Sequence, residues 1–150
     1  MNRTIDMQLM RYINIFSRIS RVSTSNCFVY NNTIYMAVPK PFMTQAIGPN
    51  GANVKQMSEI LRKKIRVVAL PNKEFLEKAT ESEKEKIFRD FIMGIVSPVE
   101  ITSFEFKNNS ITVSGSRETK AILIGRDRSK EKQLAEILQT DFGIKEFKVV

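Results

Sequence analysis

At 150 residues, 42% hydrophobic and 27% charged, the chain has the composition of an ordinary soluble protein and the length of one domain or two small ones. It has no histidine and a single cysteine, Cys27; this excludes Ser-His-Asp and Cys-His nucleophiles, imidazole or Cys-based zinc sites, and an intrachain disulfide. The net charge of +8 lies entirely in residues 1–76, with eleven basic residues against three acids, whereas residues 77–150 hold thirteen of each, and so basic a half suits a polyanionic partner.

Ile5, Leu9, Tyr12, Ile13, Phe16 and Ile19 recur at steps of three and four, which predicts an amphipathic helix over residues 4–21. Residues 27–30 and 33–38 read as strands, and Asn31-Asn32 between them suits a tight hairpin. Pro39 and Pro41 end the second strand. A short helix is expected over 42–47, a break at Gly48-Pro49-Asn50-Gly51, a second helix over 52–64, and a strand over 65–70. Residues 71–78 read as a short linker that is not Gly/Ser-rich, so a fixed relation between the two halves is expected.

Thr80 with Glu83 three residues on is a capping box. The helix it opens carries Ile87, Phe91 and Ile95 and is closed by Pro98. A hairpin over 99–107 and 110–115 turns at Asn108-Asn109. A short helix over 118–124 leads to Gly125-Arg126-Asp127-Arg128, a helix over 129–140, and a last strand over 146–150. The acids Glu77, Glu81, Glu83 and Glu85 alternate with Lys78, Lys84 and Lys86, a solvated helix face and not a carboxylate site. No enzyme activity, cofactor, metal or small-molecule substrate is expected. No apolar run reaches membrane-spanning length, and the N-terminus lacks a secretory signal pattern, so no membrane partner is expected either.

The second half repeats the first. Residues 31–61 laid over 108–138 give ten identities without a gap, among them Ile47-Gly48 on Ile124-Gly125 and Glu59-Ile60-Leu61 on Glu136-Ile137-Leu138. Ordinary residue frequencies give roughly two. A duplicated unit of this length is a small domain, which sets the organisation as 1–76 and 77–150. The final strands match at an offset of 82 rather than 77, so the second copy has five extra residues around Asp141-Phe142-Gly143.

Each copy places a glycine loop between two helices. The first glycine permits a sharp turn and the second permits close approach of a phosphate to the backbone. The N–H groups opening the next helix then face the anion, with Asn50, Gly51 and Ala52 as donors because Pro49 has none. Ile47, Val54, Met36 and Val38 are candidates for an apolar groove beneath bases, with Lys40 and Lys55 as basic neighbours. The second loop has Arg128 in place of the second glycine, so its phosphate contacts are expected to lean on side chains: Arg126 and Arg128 as bidentate forks, helped by Lys132, around Gly125 and Asp127.

The order helix, strand, strand, helix, GxxG loop, helix, strand resembles the prokaryotic (type II) KH domain. The resemblance implies an α+β fold of two tandem KH domains, each a three-stranded sheet covered by helices on one face. Such modules hold about four nucleotides of single strand. Two type II copies with a short linker, and the stretch Ala46–Lys55, resemble the NusA-like transcription factors, most closely in the short archaeal form. That resemblance implies a monomeric factor of transcription elongation and termination in the archaeal cytoplasm. Its partners would be single-stranded nascent RNA and, as further candidates, RNA polymerase or other transcription proteins. The polymerase-binding and OB-fold domains of longer bacterial relatives have no counterpart in these 150 residues. Two other readings stay open: a ribosome-associated KH protein, and a protein–protein adaptor that uses the KH fold as scaffold.

Overall fold

The computed structural model describes residues 6–150, so the start of the expected first helix, with Ile5, lies outside the described residues. The chain divides into two compact units, one running to Leu70 and the other beginning at Pro71.

In the first unit, helix α1 (Met7–Ser20) is opened by Asp6, whose carboxylate accepts the N–H groups of Gln8 and Leu9 at 2.9 and 3.3 Å. Strands β1 (Asn26–Tyr30) and β2 (Thr33–Val38) form an antiparallel hairpin, and β3 (Lys64–Ala69) pairs parallel to β2. Asn31 and Asn32 both have positive φ, at 51° and 57°. That matches the strand twist in a two-residue turn. A parallel pair needs a crossover. Here it consists of a 3-10 turn at Lys40–Phe42, helix α2 (Met43–Ile47), the glycine loop and helix α3 (Ala52–Leu61).

The helix expected over 52–64 is shorter than the sequence suggests. The register Thr33↔Lys64 requires Lys64 to be extended. Arg62 therefore turns left-handed (φ 54°), with its N–H on the Ser58 carbonyl, while the Ser58 hydroxyl donates to the Lys63 carbonyl at 2.8 Å. The helix-facing core joins Tyr12 and Phe16 of α1, Cys27, Ile34, Met36 and Val38 of the hairpin, Ala46, Met57 and Ile65. Burying side chains of this size contributes about 1.5–3 kcal/mol each. The opposite side of this sheet carries Phe28 and Tyr35, stacked with ring centroids 5.3 Å apart, and Tyr30; all three are buried. Burial, and then the neighbouring Tyr35, pushes the Tyr30 hydroxyl up to about 12.

The second unit starts with a correction. Part of the stretch read as linker is helix α4 (Lys73–Lys78), whose N-cap Asn72 accepts the Phe75 N–H at 3.1 Å. Helix α5 (Glu81–Val96) has the expected capping box, with Thr80 and Glu83 exchanging hydrogen bonds at 3.0 and 3.2 Å. Strand β4 (Ser103–Lys107) is shorter than expected, because its partner β5 (Ser110–Ser114) offers only five residues to pair with. Helices α6 (Arg117–Ile124) and α7 (Ser129–Phe142) flank the second loop, and β6 (Glu146–Val149) pairs parallel to β5.

This sheet alternates cleanly. Phe106, Ile111, Val113, Phe147 and Val149 are buried, whereas Glu105, Lys107, Glu146 and Lys148 are exposed. Of the five extra residues, four lengthen the second loop helix, 14 residues in α7 against 10 in α3. Gly143, left-handed at φ 67°, then ends it. The fold is thus α+β, with two three-stranded sheets in the order β1-β2-β3 and β4-β5-β6, consistent with two tandem KH-type domains.

Candidate nucleic-acid interface

Both glycine loops lie in the crossover between parallel strands, each closing one helix and opening the next. Their backbones follow the same path. Gly48 stands at φ 82°, ψ 166° and Gly125 at φ 72°, ψ 178°. Asn50 and Asp127 are left-handed at φ 54°, ψ 28° and φ 54°, ψ 32°. Gly51 follows at φ 73°, ψ 22°, and Arg128 at φ 60°, ψ 23°.

The two loop glycines do different work. The region occupied by Gly48 and Gly125 is essentially open only to glycine. Space is short there too: a Cβ on Gly48 would come within 2.9 Å of the Asn53 side chain, and one on Gly125 within 2.5 Å of Lys130 Cγ. Gly51 differs, since a Cβ there would meet nothing within 4 Å. Its conformation is one an arginine adopts at the matching place in the second copy. Asn53 also holds the first loop to the preceding helix. Its side-chain amide donates to the Gln45 carbonyl at 3.0 Å, and Gln45 Nε2 in turn donates to the carbonyls of Ser20 and Arg21 at 3.3 and 3.4 Å. Nothing in the spacing of Asn53 and Gln45 in the sequence reveals this contact made across the loop.

Each loop spends part of its amide supply on itself. The Gly51 N–H donates to the Gly48 carbonyl at 3.0 Å, and the Ala52 N–H to the Pro49 carbonyl. The second loop closes in the same way, Arg128 N–H on Gly125 O at 3.3 Å and Ser129 N–H on Arg126 O. Two of the three donors expected in the first loop are thus engaged in its own turn.

The other expected contact residues separate into groups. Pro49, Asn50, Ala52, Lys55 and Lys40 are exposed, and Ile47 and Val54 are half-buried at the loop's two flanks. Met36 and Val38 have no exposed surface at all. They belong to the core beneath the loop helices, since all six residues of β2 are buried. In the second loop, Arg126, Asp127, Arg128 and Lys132 are exposed. The Arg128 guanidinium is engaged, with Nε and Nη2 donating to the two carboxylate oxygens of Glu131 at 2.7 and 2.9 Å. Glu131 also accepts the Val149 N–H at 2.9 Å. Burial pushes the Glu131 carboxyl up, but the Arg128 and Val149 hydrogen bonds and the charges of Arg128 and Lys148 outweigh it and hold the group below its ordinary range.

Away from the loop, a cavity of about 450 Å³ in the second unit is lined by Lys73, Lys84, Phe88, Asn109 and Phe142, among others. It lies at the far end of α7 from the loop, a separation of about 20 Å for a helix of this length.

No family model matches the chain. The chain is similar to a protein of Halococcus morrhuae named "Probable transcription termination protein NusA", 24% identical over 147 residues and covering 96% of both chains. It is also similar to the crystal structure of APE1850, with a TM-score of 0.59 and 24% identity over 97% of this chain and 100% of that one. The second likeness is one of fold. The first connects nearly the whole length of this chain with a protein named for transcription termination.

Proposed function

We propose that the chain is an RNA-binding factor of transcription, similar in role to the NusA-named relative, and that it grips single-stranded RNA through its two glycine loops. The observation that carries the reading is the repeated loop: one backbone path, built twice, each time opening a helix. A helix start suits a phosphate because the helix dipole favours an anion there, and in the first loop the space at Gly51 is open to its approach. The basic half adds to this. Through Leu70 the chain carries all of the net charge of +8, and the residues from Pro71 onward sum to zero. In this reading the factor acts as a cytoplasmic monomer during elongation and termination, on nascent RNA beside RNA polymerase or other transcription proteins.

Titration of labelled single-stranded RNA at several salt concentrations tests it. The logarithm of the binding constant should fall linearly with the logarithm of salt concentration, by about 0.7 for each phosphate contacted. Absence of binding, or binding indifferent to salt, would refute the reading and favour a protein–protein adaptor. Sequencing RNA crosslinked to the protein in cells checks the transcriptional role: nascent transcripts should be enriched, and ribosomal RNA alone would point to a ribosome-associated protein.

A further inference from the structure

The second loop has an arginine where the first has a glycine, and a carboxylate appears one helical turn further on. Val54 of the first copy is replaced by Glu131 in the second, at the same offset of 77 that relates Gly51 to Arg128. The two new residues meet each other: Arg128 and Glu131 form a two-bond fork at 2.7 and 2.9 Å. The fork is anchored at its far end, because Glu131 is only 8% exposed and takes the Val149 N–H of the edge strand β6 at 2.9 Å. Arg128 itself stands at φ 60°, a conformation that disfavours any side chain with a Cβ. Despite that, the second loop follows the path of the first.

We infer that Glu131 is the positioning residue of the second loop: through Arg128 it holds the loop in the glycine-loop conformation, and Arg128 serves as a brace rather than as a contact to phosphate. This rests on the RNA reading of the loops given above. The chemistry is specific to a carboxylate. Three donors, Arg128 Nε, Arg128 Nη2 and the Val149 N–H, converge on two acceptor oxygens. An amide in the same place has one acceptor oxygen and cannot serve both arms. Arg126 and Arg128 are both exposed, but their engagement differs: Arg128 is committed through Nε and Nη2 to Glu131 on α7, and Arg126 makes no contact of that kind with Glu131.

The test compares the parent chain with E131Q, R128G and the double variant R128G/E131Q. Two quantities are read: hydrogen exchange at the amides of residues 126–129, and affinity for a ten-nucleotide single-stranded RNA. Circular dichroism melting serves as the check of fold. E131Q should speed exchange in the loop and weaken RNA binding about fivefold, as the competent conformation becomes a minor one. R128G alone leaves Glu131 without its fork, so it should melt below the double variant. R128G/E131Q should return both exchange and affinity to the parent's values, because glycine holds the left-handed step without a brace. A double variant that binds as weakly as E131Q would overturn the inference, since Arg128 would then be an RNA contact. Unchanged exchange and affinity in E131Q would overturn it as well, leaving Glu131 only a tie between α7 and β6. If the parent itself fails to bind RNA, the RNA reading falls, and the exchange measurements still decide what Glu131 does to the loop.

Discussion

Single residues explain why the two loops diverged as they did. The first glycine survives in both copies because two constraints act on it together, a backbone region closed to other residues and a side chain packed against the place of its Cβ. The second glycine faces only a mild conformational penalty, so an arginine with a partner can take its place. Gly48→Ala should therefore lower stability by about 2–4 kcal/mol, combining backbone strain with overpacking. Gly51→Ala should lower it by only about 1 kcal/mol. The RNA readout should separate them in another way. Gly51→Ala puts a methyl group into the open space above the loop, so RNA affinity should fall although the fold persists. Thermal melting and RNA titration of the pair check both statements, and a Gly51→Ala variant with parental affinity would show that no phosphate approaches there.

At the scale of the element, each loop is a turn that closes on its own carbonyls and hands over to a helix. Its shape is thus kept without help from a ligand. That makes a charge substitution in the first loop a clean test. The second loop carries Arg126 and Asp127 where the first has Pro49 and Asn50, in the same conformation, so the backbone does not require proline or asparagine there. Replacing Pro49-Asn50 by Asp-Asp should leave the fold intact and reduce RNA binding by about 2 kcal/mol, given the cost of like charge at a contact. Parental binding in that variant would reduce the loop to a helix cap. The loop helices also show how an insertion is absorbed. The extra residues of the second copy lengthen α7 at its C-terminal end, beyond Leu138, and leave the loop end of the helix as it is in α3.

For the whole molecule the relevant fact is the duplication. Two loops on one chain convert the second contact into an intramolecular event, so a strand long enough for both should bind more tightly than either loop alone allows. With about four nucleotides per KH module, affinity should rise clearly between a four-nucleotide and a ten-nucleotide single strand. Equal affinity for the two lengths would mean that one loop does the binding alone. The charge division argues that the first unit contributes the larger electrostatic share.

Much of this was legible in the residues themselves, because the signals are local or repeated. The Asn-Asn turns need positive φ, the Thr80–Glu83 box spans one helical turn, and identities at a constant offset expose a duplicated fold before any element is assigned. The ends of elements were less legible. Helix α3 stops where the parallel register of β3 demands extension, β4 is cut to the length of its partner, and α4 replaces a supposed linker through the single cap Asn72. Only the tertiary structure decided which site candidates are exposed and which are buried. Met36 and Val38 alternate like groove residues, yet a β2 buried along its whole length has no open face, and burial is a property of neighbours from distant parts of the chain. The same holds for Arg128. Its sequence shows a cation in a loop, while its contact with Glu131 depends on a left-handed backbone step and a strand end eighteen residues beyond Glu131, which brings the Val149 N–H to the same carboxylate.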